Sequence, residues 1–177
     1  MISPTLSIPG NPPSDLWVAD LDPGWLETLA QEHDRVAVLA DENVHRLHGS
    51  CLGTLQERAT HLVPPGEACK SFDQLQAALE FCATTGLSRR SLLITLGGGA
   101  TSDLGGLAAA LFKRGLTVAH IPTTLVGQVD AAIGGKTAID MRAGKNLVGA
   151  FHMPRAVFAD VRLLRTLPPV ELQAGLG

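Results

Sequence analysis

The sequence holds only three cysteines, Cys51, Cys69 and Cys82. Their odd number and wide spacing argue against a disulfide framework or a zinc ribbon, and suit a reducing cytoplasm. Charged residues are scarce too, at 18% of the chain, and 14 Lys and Arg against 17 Asp and Glu leave a net charge of −3. That balance gives no general attraction to nucleic acid or to an anionic membrane, so any phosphate site has to be local. No apolar run approaches the ~18 residues of a membrane span. The N-terminal stretch has no early basic run and does not resemble a signal peptide. Neither a nucleic-acid partner nor a membrane is expected.

What is present suits a compact α/β domain: 45% apolar residues and 19 glycines in 177 residues, enough chain for one buried core. Residues 1–34, with Pro4, Pro9, Pro12 and Pro13 near the start, read as an extended lead-in to a domain occupying 35–177. Arg35 to Ala40 is a short β-branched apolar run ending at Asp41, the pattern of a buried parallel strand. Val44 to Ala59 reads as a helix. Ser71 to Gln74 has capping-box spacing, with Phe72, Leu75, Leu79 and Cys82 on one helical face until Gly86. Leu92–Leu96 and Leu116–Ile121 read as strands around a helix lined by Leu104, Leu107, Leu111 and Phe112. Val157 to Asp160 reads as a last strand and Leu172 as part of a beginning helix. Strands alternating with helices predict a mostly parallel, Rossmann-like sheet flanked by helices. In such sheets ligands bind beyond the carboxyl ends of strands, where Asp41, Gly97 to Gly99 and Thr123 fall.

The most telling segment runs from Thr95 through Gly97-Gly98-Gly99 to Asp103, followed by Pro122-Thr123-Thr124 and Gly134-Gly135-Lys136-Thr137. A buried strand leads into three glycines, whose missing Cβ lets backbone N–H groups approach an anion, and a helix starts near Thr101 to Asp103. Taken singly, each feature has a plain structural role. The glycines also make a tight turn, Asp103 also complements a helix dipole, and Thr123 and Thr124 also cap a helix. Lys136 and Lys145 alone would be solvated. Their joint placement with Arg114, in a stretch poor in other charges, points instead to a phosphate- and nucleotide-binding surface.

Residues 92–176 resemble the N-terminal domain of the 3-dehydroquinate synthase family. The matching stretches are Gly97-Gly-Gly-x-x-x-Asp103, Ala109-x-x-x-x-Arg114-Gly115, Pro122-Thr-Thr-Leu125, Gln128-Val-Asp130, Gly134-Gly-Lys-Thr-Ala-Ile-Asp140, Gly144-Lys-Asn146, Asp160 and Thr166-Leu-Pro-Pro169. More loosely, Asp41-Glu-Asn43-Val44 and Pro65-Gly-Glu67-x-x-Lys70 resemble family segments as well.

The resemblance implies a cyclase that uses NAD catalytically and a divalent metal, zinc or cobalt, to convert 3-deoxy-D-arabino-heptulosonate 7-phosphate into 3-dehydroquinate and phosphate. By it, Asp41, Asn43, Glu67 and Lys70 belong to the adenosine side of NAD. Gly98, Gly99, Asp103, Thr123, Thr124, Leu163 and Thr166 belong to the pyrophosphate and nicotinamide ribose. Asp130, Lys136, Lys145 and Asn146 belong to the substrate, with Lys136 and Lys145 also near the cofactor. Arg114 reaches the phosphate across a subunit interface, which implies a homodimer. A cytoplasmic enzyme of the shikimate pathway is expected.

Three departures stand out: Val170 in place of an arginine, Gly127 and Ala132 in place of commoner variants, and Gly177 in place of an alanine. Family members continue into a helical domain carrying a glutamate and two histidines for the metal. This chain is therefore expected to be an N-terminal fragment, inactive alone, with no metal ligand of its own. His45 and His48 have i,i+3 spacing but read as a solvated helix face. Two alternatives remain: a related cyclase of the deoxy-inosose or valiolone type, or a nucleotide-binding or dimerising module without activity. The intact Gly134–Thr137 and Gly144–Asn146 motifs favour dehydroquinate synthase.

Overall fold

The computed structural model describes residues 3–10 and 12–176, and the departure noted at Gly177 lies outside them. The lead-in is not merely extended. Leu6–Ile8 (β1) and Ser14–Val18 (β2) pair antiparallel, and Pro23–Gln31 (α1) follows, with Asp22 capping its N-terminus. Val36–Asp41 (β3) is buried at every position. Beyond it comes Glu42–His48 (α2), shorter than the expected helix to Ala59. Residues 49–57 form 3-10 turns instead, because the chain at Gly53 takes φ 57° and ψ −130°, which no α-helix accommodates. A strand absent from the sequence reading, Thr60–Val63 (β4), lies next.

Phe72–Thr84 (α3) starts at the expected cap, Ser71 Oγ accepting from the Gln74 N–H, and buries Leu75, Ala78 and Cys82. Phe72, expected on that face, is more than half exposed. Leu92–Gly97 (β5) leads into Gly99–Leu111 (α4), which begins two residues earlier than expected. Leu104 and Leu107 of α4 are buried, whereas Leu111 is more than half exposed. Thr117–Pro122 (β6) ends at the expected proline. Lys136–Met141 (β7) and Gly144–Phe151 (β8) form an antiparallel hairpin, to which the sequence pattern assigned no element. Ala156–Ala159 (β9) and Pro169–Ala174 (α5) complete the order.

The main sheet runs β1-β2-β9-β6-β5-β3-β4, parallel throughout except for β1 against β2. Period-two alternation explains why its central strands are apolar at nearly every position, since both faces are covered. Val36, Val38, Ala40, Leu92, Ile94 and Leu96 face α1 and the 49–57 turns. Ala37, Leu39 and Leu93 face α3 and α4. Ile139, Val148 and Ala150 carry the hairpin against the second of these cores. Close approach there requires Gly106, because a Cβ at that position would stand 2.4 Å from Thr137 Cγ2.

The chain leaves β3 for β4 on one side and returns to β5 on the other. That reversal opens a crevice past the carboxyl ends of β3 and β5, the usual ligand position in such sheets.

Candidate functional site

Two adjacent clefts occupy that end of the sheet. The first, of about 440 Å³, is lined by Asp41, Asn43, Gly66, Gly98, Thr101, Thr123, Thr124 and Thr166, among others. Its floor is the uncapped N-terminus of α4, since no side chain bonds the first-turn N–H groups after Gly98. Exposed N–H groups at the positive end of a helix favour an anion. Gly98 has to be glycine here, because a Cβ would meet Thr124 Cγ2 at 2.9 Å. Asp41 Oδ1 accepts from the N–H groups of Asn43 and Val44 at 2.9 and 3.0 Å, so this acid caps α2 at the rim of the cleft. Its other oxygen accepts from Gly66 N–H at 3.3 Å.

The second cleft, of about 540 Å³, is lined by Asp103, Asp130, Gly134, Lys136, Thr137, Asn146, Leu147 and Phe151, among others. One turn of α4 separates the two, with Thr101 facing the first cleft and Asp103 the second. The turn 66–70 straps them together. Gly66 holds Asp41 on one side, while on the other Lys70 Nζ lies 2.6 Å from Asp103 Oδ2 and 2.5 Å from Asn146 Oδ1. Burial pushes the Asp103 carboxyl above its ordinary value, and Lys70 only partly opposes this.

The arrangement offers an anion cradle, a ribose-sized polar wall and a second pocket with a lysine, an amide and two acids. The sequence model of the 3-dehydroquinate synthase N-terminal family matches residues 60–174, more than half the chain. The chain belongs to the 3-dehydroquinate synthase family. It is 45% identical over 148 residues to 3-dehydroquinate synthase of Paracoccus denitrificans strain Pd 1222, covering 81% of this chain and 40% of that protein. The curated relatives it matches are thus more than twice as long as the matched part.

Among solved structures, 2-deoxy-scyllo-inosose synthase in complex with carbaglucose-6-phosphate, NAD+ and Co2+ superposes with a TM-score of 0.79 at 28% identity, covering 93% of this chain and 47% of that one. The 2-epi-5-epi-valiolone synthase of Streptomyces hygroscopicus subsp. jinggangensis 5008, with NAD+ and Zn2+ bound, gives 0.80 at 28% identity, covering 99% and 49%.

In this family domain the structure brings most of the sequence-predicted residues to one end of the sheet. Asp41, Asn43, Gly98, Thr123, Thr124 and Thr166 share the first cleft, and Asp103, Asp130, Lys136 and Asn146 share the second. Lys70 stands behind Asp103, its side chain 4% exposed. Glu67 and Lys145 pair with each other at 2.9 Å outside both clefts. Leu163 turns into the core beside β9. Arg114 sits past the far end of α4, a helix of 13 residues and so ~20 Å long, and does not join the others within one chain. Asp160, part of the family pattern, accepts from the N–H groups of Leu21 and Arg162, both at 2.8 Å, and is structural.

Arg46, His48 and Glu171 also line the first cleft, although the sequence reading gave them no part in the site. His48 Nε2 lies 2.6 Å from Thr166 Oγ1 and joins α2 to the turn before α5. The signal for His48 was its position one helical turn beyond Val44, on the face that leaves the Asp41 cap. For Glu171 there was none, because α5 reaches the cleft only through the tertiary fold.

Proposed function

We propose that the protein containing this chain is a 3-dehydroquinate synthase, and that this domain holds NAD in the first cleft and 3-deoxy-D-arabino-heptulosonate 7-phosphate in the second. The observation that carries this reading is the placement of Asp103 between an uncapped helix N-terminus and a pocket holding Lys136, Asn146 and Asp130. The residues present fit a dinucleotide: bare N–H groups for a pyrophosphate, a glycine where a side chain would block approach, and acids at the end of β3 and early in α4, Asp41 and Asp103, for ribose hydroxyls. Bound NAD supplies a hydride acceptor and donor for the transient oxidation of one substrate hydroxyl.

This chain's own residues bind, orient and neutralise. Lys136 and Asn146 meet the phosphate in the second cleft, and Lys145 leaves Glu67 to follow it. A lysine on a flexible stem compensates charge as it concentrates on the departing oxygen. Asp130 accepts from a substrate hydroxyl on the opposite wall, and Leu147 and Phe151 cover the rim. Arg114, at the far end of α4, serves the second cleft of another copy in a homodimer. Among the described residues no group of three His, Cys, Asp or Glu is placed to hold a metal ion. The described residues therefore do not fit a metal site by themselves. Likewise, among the described residues no helix is long and apolar enough to cross a membrane. A cytoplasmic location is part of the same proposal.

The test is conversion of 3-deoxy-D-arabino-heptulosonate 7-phosphate by the complete protein, followed by phosphate release and dehydroquinate formation. The expected result is turnover that stops when NAD is stripped. Turnover with a different sugar phosphate alone would assign the protein to another cyclase class.

A further inference from the structure

Lys70 is attached to three elements at once. Its Nζ lies 2.6 Å from Asp103 Oδ2 on α4 and 2.5 Å from Asn146 Oδ1 on β8. Its backbone carbonyl accepts from the Asp140 N–H of β7 at 2.9 Å. Asn146 in turn has φ 56°, a left-handed conformation, and its N–H donates to Asp140 Oδ1 at 2.9 Å.

The chemistry of these groups constrains one another. A lysine ammonium has three donors and no acceptor, so only the amide oxygen of Asn146 can face it. The NH₂ group then has to point the other way, toward the second cleft that Asn146 lines. Asp103 spends one carboxylate oxygen on Lys70 and keeps the other free at the boundary of the two clefts. The ammonium itself is buried, with its side chain 4% exposed, so water does not compete for these bonds.

We propose that Lys70 is a positioning residue: it fixes Asn146 as a hydrogen-bond donor to the substrate and anchors Asp103 between cofactor and substrate. The strap carrying it makes cofactor and substrate recognition share one cation. This rests on the proposed cyclase reading, in which the second cleft takes an oxygen-rich sugar phosphate.

The test uses the complete protein with K70M, K70R, N146A, N146D and the K70M/N146A double variant. With Lys70 present, N146A should lower kcat/KM about tenfold, the scale of one charge-assisted or buried hydrogen bond. In the K70M background the same change should cost less than about twofold, because the amide is no longer aimed. K70R should recover most of the loss in K70M. N146D should be worse than N146A, since it presents an acceptor where a donor is needed. That comparison involves an exposed hairpin-tip residue and stands even if K70M does not fold.

NAD titration gives a second readout. The charged groups facing Asp103 are Lys70 and Glu67 from the strap, Asp140 from β7, and Asp130 and Lys136 across the cleft. Without Lys70 the carboxyl protonates at higher pH, so the acidic fall in NAD affinity should move to higher pH. Additive losses in the double variant, N146D at least as active as N146A, or an unmoved acidic limb in folded K70M would each overturn the proposal. If the wild type turns over no sugar phosphate, the cyclase reading fails, and the NAD titrations still decide the role of Lys70.

Discussion

Lys145 and Glu67 meet at 2.9 Å across the gap between the hairpin tip and the strap, and both side chains are more than half exposed. The pairing raises the Lys145 ammonium above its ordinary value, with Glu67 as the cause. An exposed pair of this kind contributes little to stability. In the proposed function Lys145 instead exchanges this exposed carboxylate for the substrate phosphate.

Lys145→Ala and Lys136→Ala should therefore leave the thermal midpoint near that of the wild type. In the complete protein each should lower turnover on the order of 10²-fold, as for loss of a single transition-state donor. NAD affinity should fall far less. Steady-state kinetics and calorimetry on the same preparations check this, and near-normal phosphate release in both variants would remove the lysines from the reaction.

Acid sensitivity should be traceable to His120. Full burial pushes its imidazole down to about 3, with His152 adding repulsion, and its Nδ1 lies 2.7 Å from Thr95 Oγ1. The folded state keeps this ring neutral while the unfolded chain takes up a proton near the ordinary value of ~6.5. Stability is then lost as pH falls through the window from ~6.5 to about 3, at up to about 1.4 kcal/mol per pH unit. Buried Asp160, whose carboxyl Arg162 holds low against its burial, adds a loss of its own at the acid end. The check is the difference between wild type and His120→Asn in denaturant melts at pH 7 and pH 5, which should shrink as the pH drops.

Gly106→Ala tests how α4 meets the hairpin. Alanine favours a helix by ~1 kcal/mol over glycine. Here, however, the new methyl would stand 2.4 Å from Thr137 Cγ2, on a buried side chain whose hydroxyl donates to Ala150 O. Overpacking of ~1–3 kcal/mol should win. A lowered thermal midpoint is expected, and a raised one would mean that the hairpin yields easily.

A metal titration tests whether the described residues, which hold no cluster of potential metal ligands, can bind a metal ion. A catalytic zinc needs about three converging protein ligands, and no such group exists among the described residues. The 177-residue chain should bind zinc or cobalt only weakly and release no phosphate from the heptulosonate phosphate when either is added. Metal-dependent turnover by this chain would show that its residues assemble a site in another way.

The sheet was legible because β3, β5 and β6 are buried on both faces, which leaves uninterrupted apolar runs. The cleft was legible because Gly97 to Asp103 and Pro122 to Thr124 end such runs, and strand ends are where these folds bind ligands. The hairpin was not, since β8 is largely exposed and rich in Gly, Lys and Asn, and α4 rather than local propensity holds it in place. The placement of Lys70 was also hidden. Sequence motif groups it with Glu67 and does not reveal its contacts, which lie 33 and 76 residues away, on α4 and β8. Leu163 was named for its turn, and what the sequence did not show is that its side chain belongs to the core.

In the proposed function the first cleft, floored by the bare N-terminus of α4, holds NAD. Calorimetric titration of the chain with NAD tests it most directly, alongside Gly98→Val, which places a side chain against Thr124 and over the anion cradle, and Asp103→Ala. Measurable binding by the folded wild type is expected, abolished by Gly98→Val and weakened about tenfold or more by Asp103→Ala. Folded wild-type protein that shows no heat with millimolar NAD, or a Gly98→Val variant that binds as tightly as wild type, would contradict it.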